Sequence, residues 1–356
     1  MKEEKLEERL SRVLRFVAPG TPLREGLENI LRATSGGLIV IGDSAEIREI
    51  SEGGFVINAE FSPARLYELA KMDGAIILSK DARKILAANT QLIPSPNIPS
   101  GETGIRHRTA ERVAKQTDTL VITISQRRGI VTLYKGNLKY VLRDMSVILD
   151  KAGQAIQTLE KYRSVLGRVM VNLSVLEFED SATLFDAAKS IQRVEMVLRV
   201  EKEIERYTSE LGVEGRLITM QTEELVSDVE EEGLRVIQDY ATTMGEKTPS
   251  NIFSVIRSWP AEDLLDLSLI ARALGYPGSA SILEQHVSPR GYRILEKIPR
   301  LPLPVVDNLV KTFGTLSRML VATIEELDEV EGIGEVRARS IKEGLQRYRE
   351  HLVQER

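Results

Sequence analysis

The chain has 356 residues, with 48 basic and 53 acidic side chains, a formal net charge of −5 and no cysteine. This balance excludes a protein that coats nucleic acid with its whole surface, so any DNA contact must be local. The missing thiols exclude disulfides, thiolate metal sites and cysteine nucleophiles. A hydrophobic content of 42% with 28% charged residues, at a length beyond one ordinary core, predicts a soluble chain of two or three domains. The charged first residues lack the apolar core of a signal peptide, and runs such as 38–41 and 120–124 are too short to span a bilayer. A cytoplasmic protein with no membrane partner is expected.

Residues 1–143 alternate helical and strand patterns. Apolar spacing predicts a helix over 6–17, stopped by Pro19-Gly20-Thr21-Pro22, and a second over 23–33. Gly36-Gly37 then introduces a buried strand at 38–41, and 55–57 reads as another. Ser62-Pro63 is an N-cap followed by proline at the first helical position. Strands are expected at 75–78 and 85–93, a helix at 109–116, and strands at 120–124, 130–134 and 138–142. Lys135-Gly136-Asn137 marks a hairpin. Six or seven strands mixed with helices predict an α/β domain with a mixed sheet flanked by helices.

Residues 144–285 lose the strand signal. Helical spacing of apolar residues, with Lys and Glu between, predicts an all-α spine that includes helices over 195–211 and 223–240. The acidic run 228–232 reads as a solvated helix face. Residues 286–356 form a third, all-α segment. In it a helix over 324–330 meets Gly332-Ile333-Gly334, and a second helix starts near Glu335. Glycine at both positions leaves backbone N–H groups facing outward at a helix start, where a phosphate can bind, with Arg337 and Arg339 nearby and Ile333 as the buried plug. This is the pattern of a helix-hairpin-helix element, and residues 309–319 around Phe313-Gly314 look like the preceding half of a tandem pair.

Two motifs in the first segment carry chemistry. Gly104-Ile105-Arg106-His107-Arg108-Thr109 places two guanidiniums and an imidazole just before a helical pattern, where the forked arginine donors and the helix N-terminus together suit phosphate. Asp73-Gly74-Ala75 sets a carboxylate beside a glycine, where a metal or a sugar hydroxyl can approach. Taken alone, the first is also readable as a solvated turn and the second as a turn before a strand. Ser125 with Arg127-Arg128 closes the 120–124 strand, and a basic turn before a hairpin accounts for it equally well. The proline-rich segment 94–99 is expected to order the loop that carries Gly104 and to act as a lid.

In this order and at this separation, the two motifs resemble the signatures of the diadenylate cyclase (DAC) domain. A DAC domain (1–143), a helical linker (144–285) and a helix-hairpin-helix domain (286–356) together resemble the DNA integrity scanning family over essentially the full length. One position departs from that family, which commonly has threonine where this chain has Ile105. The resemblance implies condensation of two ATP into cyclic di-AMP with release of two pyrophosphates, using Mg²⁺ or Mn²⁺. It implies catalytic roles for Asp73, Arg106, His107 and Arg108, with Asp73 on the metal. Nucleotide contacts are implied for Gly74, Ala75, Leu92, Ile105, Arg106, His107, Arg108, Thr109, Ser125 and Arg128, Thr109 also capping the helix. Branched or junction DNA is the implied partner of Gly332, Ile333, Gly334, Arg337 and Arg339. Because one domain holds one ATP, the expectation is at least a face-to-face dimer, and by family an octamer. The rival readings are a DNA-binding scaffold whose first domain only senses nucleotide, and a nuclease, for which no carboxylate cluster is evident.

Overall fold

A computed structural model describes residues 9–10, 12–242, 248–277 and 280–355. The chain gathers into two compact units, Met1–Gln154 with Ile204–Thr219, and Ala155–Glu203 with Met220–Arg356. The helix expected over 6–17 lies partly outside the described residues; 12–16 are helical.

The first unit is built on the expected mixed sheet. Its strands are β1 (Gly37–Ile41), β2 (Ser51–Glu52), β3 (Phe55–Glu60), β4 (Ala75–Leu78), β5 (Lys84–Leu92), β6 (Leu120–Ser125), β7 (Ile130–Lys135) and β8 (Leu138–Val141). They run in the order β2-β5-β4-β1-β6-β7-β8, with β3 also pairing β5. Among the described strands β1 and β4 form the parallel pair, and the remaining pairings are antiparallel. The central strands are covered on both faces, so β1 and β4 read as unbroken apolar runs rather than alternating ones. On one face Ile39, Ile76 and Ile122 pack with Leu27 and Ile30 of helix Pro22–Arg32 and Leu66 of helix Pro63–Leu69. On the other, Val40, Ile77 and Val121 pack with Ala110, Val113 and Ala114 of helix Ile105–Thr117. Thr21 and Ser62 cap the two helices of the first face, each followed by proline; the hydroxyl satisfies a free N–H while proline presets φ.

The second unit is helical, as the 3.6-residue spacing of its apolar positions requires. It takes in most of helix Met145–Phe178 and of helix Leu184–Leu211. The continuous helix expected over 223–240 is instead two, Arg216–Val226 and Val229–Tyr240, parted at Ser227-Asp228. The acidic run there is not a merely solvated face. Asp228 pairs with Arg163 at 3.0 Å, Glu230 with Arg257 at 3.2 Å and Glu232 with Lys297 at 2.9 Å. These three carboxylates meet cations of other helices, which local periodicity cannot reveal. Beneath this rack lies a buried polar network. Arg293 donates to Glu177 and to Ser174 Oγ (3.0 Å), and Tyr240 Oη donates to Glu177 Oε1 at 2.8 Å. Asp239 accepts the N–H groups of Gly291, Tyr292 and Arg293 at 2.7–3.1 Å, capping helix Tyr292–Glu296. Helix Val229–Tyr240 is thereby fastened to the start of the last segment. That segment has its own apolar core around Leu309, Ile333, Ala338 and Ile341, against which Val171 and Val175 of the long helix pack.

Candidate functional site

Register assembles the site. Leu38 pairs with Ala75 in the parallel β1–β4 ladder, and Gly37 with Ile124 in the antiparallel β1–β6 ladder. Gly36, Asp73 and Ser125 therefore lie side by side at one end of the sheet, although separated by up to 89 positions in sequence. Helix Ile105–Thr117 crosses one face with its N-terminus at this end, and Arg106 Nη2 donates to Asp73 Oδ1 at 2.9 Å. The guanidinium also lies over Gly36, where a Cβ would come within 2.1 Å of Arg106 Nη1. Gly74, at φ +100°, turns the chain into β4 so closely that a Cβ would meet the Asn89 backbone at 2.8 Å. At Gly74 both φ and room require glycine; at Gly36 a Cβ is excluded only while Arg106 keeps this position.

The helix begins earlier than expected. Its N-cap is Gly104, which offers no side-chain bond, so Ile105, Arg106 and His107 occupy the first turn and Thr109 is inside the helix. Thr109 is thus not the cap. The triplet belongs to the helix rather than to a turn ahead of it, because polar first-turn residues carry no apolar periodicity to mark them. The consequence is a set of N-terminal N–H groups with no side-chain partner beside two guanidiniums, an arrangement suited to phosphate. Ile105 is 82% exposed there. The loop before it is laced to the helix rather than hinged. Ile98 O accepts from Arg112 (2.9 Å) and Pro99 O from Lys115 (2.9 Å), while Glu111 takes Ser100 Oγ and Gly101 N.

His107 rests on a polar nest that motif reading missed. Its Nδ1 lies 3.0 Å from both Tyr134 Oη and Thr123 Oγ1, and Tyr134 Oη donates to Glu102 Oε1 at 2.8 Å. Because Tyr134 gives its own hydrogen to Glu102, its oxygen is available to accept from Nδ1–H in the tautomer that leaves Nε2 as the acceptor nitrogen. Burial pushes the His107 imidazole below its ordinary value, and Arg128 and Lys139 add to this against the pull of Glu102. Burial opposes ionisation of Glu102, but hydrogen bonds from Lys139 and Tyr134 outweigh it and hold the carboxyl below its usual range. Burial and Glu102 together raise the Tyr134 phenol, which stays protonated. Thr123 and Tyr134 looked like ordinary strand residues; their shared face, two apart in register from one another's partners, was the available signal.

The other expected residues are placed as follows. Ala75 opens β4, fully buried. Arg108 reaches back to the carbonyls of Glu102 and Thr103 at 3.3 Å. Ser125 Oγ accepts the Arg128 N–H at 3.3 Å, and Arg128 is exposed. Leu92, at the end of β5, is buried among Ile47 and Ile50. Asp73 is almost fully exposed, and no group of three or more His, Asp or Glu able to hold a metal occurs among the described residues. A single open carboxylate fits Mg²⁺ or Mn²⁺ that keeps its waters and takes its other ligands from nucleotide phosphates.

In the second unit, Gly332 (φ +85°) and Ile333 link helix Ile324–Asp328 to helix Glu335–Glu355, with Gly334 preceding the latter. Ile333 is buried in the C-terminal core, as expected of the plug. Arg337 donates to Gly332 O, and Arg339 pairs with Glu335 at 2.5 Å. A similar turn at Gly314 (φ +76°) joins helices Leu303–Phe313 and Leu316–Val321.

Comparison with known proteins matches the sheet domain and the helical linker. Residues 24–138 match the family described as DisA bacterial checkpoint controller nucleotide-binding, and 142–283 match the DisA bacterial checkpoint controller linker region. The DNA integrity scanning protein DisA of Carboxydothermus hydrogenoformans is 69% identical over 97% of this chain and 98% of its own. Those of Clostridium kluyveri and Clostridium perfringens are 57% and 58% identical, each over 98% of this chain and 97% of its own. No described helix is long and apolar enough to cross a membrane. With a DAC nucleotide-binding domain followed by the linker, the chain belongs to the DNA integrity scanning protein DisA family.

Proposed function

We propose that the chain is a diadenylate cyclase that condenses two ATP into cyclic di-AMP and two pyrophosphates, regulated by DNA bound at its C-terminal hairpins. The observation that carries this reading is the Asp73–Arg106 pair over Gly36, beside the open N-terminus of helix Ile105–Thr117. In each of two steps a ribose 3′-oxygen forms a bond to the α-phosphorus of the other nucleotide. The bond to the β-phosphate bridging oxygen breaks in line, and the 3′-proton is lost. Arg106, Arg108 and the first-turn N–H groups bind and orient the triphosphate, which is most of the work in phosphoryl transfer. Binding draws Arg106 from Asp73 onto phosphate and frees the carboxylate to face the attacking hydroxyl. His107, braced by Tyr134 and Thr123, presents Nε2 to the phosphates. Asp73 would hold Mg²⁺ or Mn²⁺, which supplies charge neutralisation and lowers the cost of deprotonating the hydroxyl. One domain holds one nucleotide, so two must face one another, and an octamer is the family's arrangement.

The test is incubation with ATP and Mg²⁺ or Mn²⁺, with product identified by mass spectrometry. Cyclic di-AMP from the native chain and none from Asp73→Asn is expected. ATP binding without product would leave the nucleotide-sensing scaffold as the better reading.

A further inference from the structure

The C-terminal unit contains a cation-lined groove outside the hairpins. Helices Met145–Phe178 and Leu184–Leu211 border a groove of about 340 Å³, lined in part by Val165 and Val169. Arg168 and Asn172 line one wall, and Asp186, Lys189 and Arg193 the other. Three cations against one carboxylate leave it two net positive charges. Asp186 is already engaged, accepting from Thr183 N at 3.0 Å and Thr183 Oγ1 at 2.6 Å.

The groove cations differ from several others of this unit. Arg199, Arg235 and Lys297 of this unit are each held by a carboxylate within 2.9 Å. Among the described residues Arg168, Lys189 and Arg193 have no such partner. Arg193 spends one nitrogen on Met196 Sδ at 3.5 Å, and its buried Nε–H has no acceptor. Lys189 lies 5.2 Å from the Phe185 ring. Arginine forks suit phosphate oxygens.

Position indicates which phosphate. Val171 and Val175, which pack on the C-terminal core, lie within two turns of Arg168 on the same helix, a rise on the order of 10 Å. Thr183, one residue before the second helix, is bridged to His286 at the start of the last segment. The groove thus adjoins the C-terminal fold that carries the hairpins. The hairpin itself offers N–H groups more than free charge. Arg337 and Arg339 are committed locally, and Lys342 donates to Leu320 O and Ala322 O.

We propose that this groove between the two long linker helices holds a backbone phosphate of duplex DNA through Arg168, Lys189 and Arg193, adding sequence-independent affinity to the hairpins. The proposal rests on the DNA-binding reading above.

The experiment is fluorescence anisotropy of the full chain with a labelled duplex of about 30 base pairs, titrated at several KCl concentrations. The variants are Arg168→Gln, the triple Arg168→Gln/Lys189→Gln/Arg193→Gln, and Gly332→Val as a hairpin control. Arg168 is exposed, so its single variant reports even if the triple does not fold. The triple should weaken binding about tenfold or more, and flatten the slope of log Kd against log salt by about 1, the share of one phosphate; Arg168→Gln alone should flatten it in the same direction by less. Native affinity and slope in these variants, while Gly332→Val loses binding, overturns the groove and spares the hairpins. No binding by the native chain overturns both. A change of mass by light scattering with the slope unchanged assigns the groove to a subunit contact and likewise overturns the proposal.

Discussion

Gly36→Ala isolates the Arg106 contact. The new methyl would lie 2.1 Å from Arg106 Nη1 and 3.3 Å from its Cζ and from Ile124 O. Ordinary contact begins near 3.4 Å, so the guanidinium must withdraw by about 1 Å or more, which breaks a fork whose value depends on alignment. A charge-assisted hydrogen bond contributes about 1.5–3 kcal/mol, so kcat/KM for ATP should fall roughly 10- to 150-fold. Stability should hardly change. The displaced atoms are the tip of a flexible side chain, Gly36 does not use positive φ, and a Gly→Ala change also restricts the unfolded chain by about 0.4–1 kcal/mol. Steady-state kinetics at fixed Mg²⁺, calorimetric ATP binding and a thermal melt form the assay, with Arg106→Ala for comparison. The double variant should be no worse than Arg106→Ala, since both remove one interaction. Native kcat/KM and native ATP affinity in Gly36→Ala would refute the placement of Arg106 on phosphate, as would additive losses in the double variant.

Gly74→Ala, in contrast, should cost about 2–4 kcal/mol in urea unfolding, from left-handed strain and the 2.8 Å approach to Asn89; a loss under 1 kcal/mol would contradict this. Arg293→Met strands Glu177 in the interior and should cost about 3–5 kcal/mol. Adding Glu177→Gln keeps an acceptor for Tyr240 and removes the stranded charge, so the double variant should be the more stable of the two; the reverse order would refute the pairing. His107 should titrate below 6.5 by NMR in the free chain, because burial and Arg128 disfavour the imidazolium. Arg128→Gln should raise that midpoint, and bound ATP should raise it further. Since the unfolded chain takes up the proton first, the stability contributed by a neutral His107 is complete above 6.5 and is lost as pH falls from there towards the folded midpoint. An unchanged midpoint in Arg128→Gln would remove the proximity on which this rests.

Local pattern determined most elements and both motifs. Doubly apolar runs marked the buried strands, Ser62-Pro63 marked a helix start, and Gly332-Ile333-Gly334 with Ala338 and Ile341 marked the hairpin and its plug, because these signals act between near neighbours. What failed locally failed for a physical reason. Helix Ile105–Thr117 starts five residues before its apolar stripe does, and Asp228 and Glu232 find cations 65 positions away. The site itself belongs to tertiary structure. Asp73, Gly36, Ser125 and Arg106 come together because a parallel and an antiparallel ladder on either side of β1 align their ends and the helix crosses there. Composition named the groups suited to phosphate; only strand register could decide which of them share one.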